Sequence, residues 1–209
     1  MSKDSMIRWS GVCLMLAGVC LALGTIIHPS KETPQIILAQ ETRLIIGHWL
    51  LTFYCGFLML GLPGVYASRS KQLGRLGLAG FLLVFFGTLF YAVSSDYGFN
   101  APVLARLAPQ TLEAINAYPS VVFMDGLFVV LLFSGFILFG IAIQRSQIFP
   151  PWSGVLIATG WSLFMICAPL ALFVFEPLWI VAVLGTVMLG VGLGWVGYVL
   201  LFGKELTEF

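Results

Sequence analysis

The sequence predicts an all-α membrane protein: a bundle of six transmembrane helices with both termini on the cytoplasmic side. Three observations predict it. The first is composition: the 209 residues are 60% hydrophobic and only 9% charged, with a mean hydropathy of +1.03. A water-soluble domain carries about 25% charged residues, so most of this surface faces lipid. The second is segment length. A bilayer core about 30 Å thick takes roughly 20 apolar residues per helical crossing. Six stretches meet that need: 7–27, 44–66, 76–93, 121–143, 152–175 and 178–202. Such long runs exclude an outer-membrane barrel, whose strands are about 10 residues long with alternating polarity. The third is the placement of basic residues. One side of a six-span chain receives Lys3, Arg8, Arg69, Lys71, Arg75, Arg145 and Lys204, the other only Lys31, Arg43 and Arg106. The positive-inside rule then puts both termini in the cytoplasm. The chain reads as a single polytopic domain.

Taken in order, residues 1–23 imitate a secretory signal, with Lys3 and Arg8 ahead of an apolar run. The run is longer than the roughly 7–15 residues of a cleaved leader and lacks a good cleavage site, so it is read as a retained first span. It stops at His28-Pro29, because a residue preceding proline is pushed out of α geometry. The link 30–43 carries Lys31, Glu32, Glu41 and Arg43 around an apolar patch, 36–39. The second span begins near Leu44, which puts His48 about one turn inside it. The short basic link 67–75 makes the second and third spans an antiparallel pair. Gly74, Gly77 and Gly80 form a small-residue face suited to close helix approach. Between the third and fourth spans, an outer-side amphipathic segment is expected over about 103–118, with a short helix starting at Pro109. The fourth span holds Asp125, the one charge inside an apolar run. Pro169 should bend the fifth near its outer end. The sixth is glycine-rich, at Gly190, Gly194 and Gly197 above all, as expected of a helix packed on protein.

Two internal echoes are those of three repeated hairpins. Residues 56–61 (GFLMLG) match 135–140 (GFILFG), and 9–12 (WSGV) match 152–155 (WSGV). Both join spans of the same direction, unlike an inverted transporter repeat. Matches this short also arise by chance in apolar sequence.

The four cysteines, Cys13, Cys20, Cys55 and Cys167, all fall within spans, without a C-x-x-C, and read as small packing residues. A net charge of +1 excludes a nucleic-acid partner of the electrostatic kind; the expected partners are membrane lipids, other membrane subunits or a second copy. No zinc-protease, phosphate-loop or serine-hydrolase motif occurs.

The His-Pro ending the first span, the histidine opening the second, and the run FGIAIQR (139–145) before FPPWSG (149–154) carry a resemblance. The chain resembles small six-helix bacterial inner-membrane proteins catalogued only as domains of unknown function. That resemblance implies a bacterial inner-membrane setting and no activity.

Candidate site residues share a depth. His28, Glu41, His48, Asp96, Asp125 and Glu176 all map to the outer third of the membrane or its surface. For each histidine alone, the plainer reading is an interfacial anchor or cap, with Trp49 beside His48. Asp125 is harder to dismiss, since an intramembrane acid usually faces the bundle interior and has a partner; His48 or Arg43 could serve. The leading expectation is therefore an outward pocket for a lipid or small lipophilic ligand, lined by His48, Asp125, Asp96 and Trp49. A structural subunit of a larger complex is the alternative. No cofactor is predicted: a metal or haem on His28 and His48 ranks behind both, because His28 sits at a proline-broken helix end and no third histidine exists.

Overall fold

The computed structural model describes residues 3–203, without the side chains of Lys3, Glu113, Asn116 and Phe173; Lys204, one of the basic residues used above, lies outside the described residues. Eight helices occur among them: α1 (Lys3–Ile27), α2 (Pro34–Ala39), α3 (Glu41–Ser94), α4 (Tyr97–Leu107), α5 (Pro109–Asn116), α6 (Pro119–Ser146), α7 (Ser153–Phe173) and α8 (Leu178–Phe202). Five segments are long and apolar enough to cross a membrane: Asp4–Ile27, Glu41–Leu107, Pro119–Ser146, Ser153–Leu172 and Leu178–Phe202. This corrects the expectation of six separate stretches. The second and third join because the link 67–75 holds no proline and keeps helical geometry except at Arg69 and Gly74.

Those two exceptions divide α3 into two arms. Gly74 has φ 60° and ψ −158°, a region open essentially only to glycine. The rings of Tyr66 and Phe81 stack across the break with centroids 5.6 Å apart. Fifteen residues of straight helix would separate them by about 22 Å. The first arm lies on α1, where Gly61 faces Leu14, Gly64 faces Ser10 and Gly47 faces His28. The second lies on α6, with Gly80 against Phe139 and Gly87 against Leu132.

The bundle closes through α1–α8, α8–α7 and α7–α6, and every one of these contacts runs over paired glycines. A Cβ on Gly11 would stand 2.5 Å from the Gly197 carbonyl oxygen, and one on Gly197 would stand 2.5 Å from that of Gly11. Gly18 with Gly190, Gly160 with Gly185, and Gly140 with Gly154 repeat the arrangement. Thr25 and Thr186 add a buried hydroxyl contact of 2.6 Å between α1 and α8. The fully buried Tyr54, Phe136, Phe139 and Trp161 fill the interior.

A second, smaller core joins Ile37 of α2, Leu44 at the start of α3, Ala101 and Ala105 of α4, and Leu112 of α5. Thr33 caps α2, accepting from the Ile36 N–H. The outer amphipathic segment thus forms two helices, with Pro109 opening α5 as expected. Together with α2 they make a cap over one end of the bundle.

Replacing Gly74 by alanine should destabilise the fold by about 1–3 kcal/mol through backbone strain alone, since no atom lies within 4 Å of the added methyl. Gly56, equally open but not at positive φ, is the control. Thermal unfolding in detergent should show Gly74→Ala lowering the midpoint and Gly56→Ala leaving it unchanged or higher.

Candidate metal centre

Beneath that cap, three electron-rich side chains converge. His28 lies just past the end of α1, Glu32 lies on the link four residues later, and His48 stands about two turns into α3. One ligand atom from each falls within 4.8 Å of the others. His28 Nε2 is 3.2 Å from His48 Nε2 and 3.5 Å from Glu32 Oε1.

Local sequence explains the convergence. Pro29 ends α1 and turns the chain so that Glu32 comes back to His28. The Pro29 carbonyl accepts a hydrogen bond from His28 Nδ1 at 2.8 Å. A carbonyl can only accept, so Nδ1 carries the proton, and neutral His28 offers the Nε2 lone pair to the centre. This is the backbone contact that fixes the tautomer of a metal-binding imidazole. His48 is buried and seated by two glycines. Gly47, the preceding residue, lets α3 approach His28, and a Cβ on Gly98 of α4 would overlap the His48 ring. Phe99 meets the same ring edge to face at 6.0 Å. The Ser95 backbone lies beside His48, but Nδ1 makes no hydrogen bond among the described residues.

Hydrogen bonds can join two imidazole nitrogens and a carboxylate oxygen this close only in pairs. A proton on His28 Nε2 serves one pair at a time; a metal ion serves all three. Ligands about 2.0–2.1 Å from a tetrahedral ion lie about 3.3 Å apart, close to the 3.2 Å and 3.5 Å found. The set does not suit haem. Axial nitrogens on opposite sides of an iron are about 4 Å apart, twice a metal–nitrogen bond, whereas these two nitrogens are 3.2 Å apart on rings that meet edge to face.

Among the surrounding charges, Lys31, Glu176, Arg106 and Glu41 form ion pairs, whereas Arg43 meets no carboxylate among the described residues. Lys31 Nζ lies 3.0 Å from Glu176 Oε2, and Ser30 donates to the same carboxylate at 3.2 Å. The hydrogen bond from Lys31, then its charge, then Ser30 hold the Glu176 carboxyl below its usual range. The link-to-α8 contact is therefore present above the ordinary carboxylate range and is lost as pH falls through the lowered value. Arg106 of α4 pairs with Glu41 at the start of α3. Arg43 donates through Nε to the Ile27 carbonyl at 3.0 Å and through Nη1 to Gln40 at 2.9 Å, tying α3 to the end of α1.

The expectation that no cofactor is held, with metal ranked last, is corrected by the His28–Glu32–His48 cluster. A proline-broken end does not loosen His28, because the Pro29 carbonyl and the Arg43 contact fix it. The missing third ligand is Glu32. Its signal was the first of two acids in the link between the histidines, four residues past His28.

The remaining candidates lie elsewhere. Asp125 of α6 accepts from Ser94 Oγ at 2.5 Å, at the end of the second arm of α3, and is not brought to His48. Asp96 is exposed at the start of α4 and makes no side-chain cap. Trp49, half exposed, stacks on Phe53 and packs on Phe99 at the cluster's edge. No protein-family model matches this chain, and neither a curated protein nor a solved structure matches it.

A methyl at Gly98 has nowhere to go unless the His48 ring moves. Gly98→Ala should lower metal affinity by at least about tenfold, a shift of about 1.4 kcal/mol, while the α-helical circular dichroism stays the same; titration calorimetry with Zn2+ measures it.

Proposed function

We propose that this protein is a six-crossing integral membrane protein that binds a divalent first-row transition metal at its outer end through His28, Glu32 and His48. Zinc fits the spacing best. The observation that carries the proposal is the convergence of three ligand atoms within 4.8 Å around a tautomer fixed by the Pro29 carbonyl.

Six crossings follow if each arm of α3 crosses once, as the stacking of Tyr66 on Phe81 supports. Arg8, Arg69, Lys71, Arg75 and Arg145 then share the end opposite the cluster, which supports cytoplasmic termini and a bacterial inner-membrane setting. The echoed segments support three repeated hairpins.

Structural zinc sites usually carry four protein ligands, whereas three leave a position for water or a substrate. A metal here would act as a Lewis acid and lower the pKa of a bound water. Glu32 supplies negative charge to offset the cation, and the two histidines hold it from neighbouring helices. This arrangement favours metal over a lipid pocket on His48 and Asp125, which the fold keeps on different helix contacts.

Metal analysis and calorimetry of the purified full-length protein test the proposal. About one Zn2+ per chain is expected, binding more weakly as pH falls because imidazole ligates only when deprotonated. His28→Ala and His48→Ala should abolish it, and Glu32→Gln should weaken it by at least about tenfold. Asp125→Asn and Asp96→Asn should leave it intact. A wild-type protein that takes up neither Zn2+, Co2+ nor Fe2+, or histidine variants that bind as well, would overturn the assignment.

A further inference from the structure

Beside the cluster, a cavity of about 390 Å³ opens between the end of α1, α2 and the start of α8. His28 is part of its wall, but nothing below depends on a metal being bound.

One face of the cavity is polar, with Ser30, Gln40, Arg43 and Glu176. Glu176 is satisfied by Lys31 and Ser30, so it does not compete for Arg43. The Arg43 guanidinium has five N–H donors. Two are used, on the Ile27 carbonyl and on Gln40, and no carboxylate answers its charge among the described residues. The opposite face is apolar, with Ile26, Ile180, Val183 and Leu184. Ile26 is 50% exposed, Ile180 65% and Leu184 54%, and all three lie on segments apolar enough to cross a membrane. The cavity therefore opens sideways, toward hydrocarbon. Its volume is at the low end of small-molecule sites, which run from about 300 to 1,000 Å³. That suffices for a head and the first part of a chain, with the rest left in the bilayer.

We propose that this cavity binds an anionic amphiphile entering from the bilayer, its carboxylate or phosphate head on Arg43 and its alkyl chain along Ile26, Ile180 and Leu184. Three N–H groups of the guanidinium, both of those on Nη2 among them, remain to donate to the oxygens of either head. Gln40 orients the guanidinium.

Spin-labelled stearate added to the full-length protein in phosphatidylcholine nanodiscs tests the proposal. A motionally restricted component is expected, displaced by dodecanoate or dodecyl phosphate but not by acetate or inorganic phosphate at equal concentration. Arg43→Gln should weaken binding by at least about tenfold. Ile180→Trp should do the same by filling the apolar slot, and it carries the test should the arginine variant fail to fold. Displacement by acetate or phosphate as good as by the amphiphiles would mean a site for free anions. A restricted component equal in both variants would mean ordinary boundary lipid. Either result, or no restricted component, overturns the proposal. Zinc binding measured on the same samples reports separately on the metal centre, so each can fail without the other.

Discussion

Glycine-to-glycine contact sets how closely these helices lie, and the remaining architecture follows from that distance. Lipid chains are as apolar as leucine, so burying leucine against leucine does little to hold two membrane helices together; close packing must do so. Gly11 with Gly197, Gly18 with Gly190, Gly140 with Gly154, and Gly160 with Gly185 each let a backbone touch a backbone. They fix α1 on α8, α8 on α7 and α7 on α6. With α1 so held, His28, the residue just past its end, is brought against the first arm of α3, where Gly47 leaves room for the imidazole. The site inherits its precision from contacts up to about five turns away.

The cluster also depends on two different kinds of support. His48 is held by a helix and by the α4 backbone at Gly98, a rigid seat. Glu32 lies on the link, half-buried, with its carboxylate 3.5 Å from His28 Nε2. The paired charges around the cluster, Lys31 with Glu176 and Arg106 with Glu41, tie the link and the α4 segment to the bundle without placing a competing charge on the metal ligands.

Much of the fold was legible because hydropathy over 20 residues is a strong signal. The helix at Pro109, the end of α1 at His28-Pro29 and the close approaches at Gly77, Gly80, Gly190 and Gly197 could be read from residue type and spacing. Gly74 and Gly194, expected in the same faces, instead meet nothing within 4 Å. The break in α3 was placed in the right link, but its form was not legible: only φ at Gly74 shows that the helix continues almost to the turn. The site was half legible. Both histidines were singled out, yet His48 was paired with Asp125, an acid inside the membrane expected to have a partner at its own depth. Depth in the membrane is readable from sequence, whereas the neighbour at that depth is not. The first arm of α3 faces α1 and the second faces α6, so His48 meets His28 and Asp125 meets Ser94. Glu32 was passed over as one charge among several in a polar link.

The two ends of the bundle treat their charges differently. At the capped end, Lys31, Glu41, Arg106 and Glu176 are spent on one another, and Arg43 is partly spent on a carbonyl and an amide. At the opposite end, Arg8, Lys71, Arg75 and Arg145 form no ion pair among the described residues, although they are as numerous. The capped end thus holds six acids, Glu32, Glu41, Asp96, Glu113, Asp125 and Glu176, against three basic residues, whereas the opposite end carries positive charge unpaired among the described residues. Such charge sits well among anionic headgroups, each basic residue near such a surface being worth about 1 kcal/mol. The protein's seating depth should therefore follow the anionic lipid content of the leaflet around that basic end.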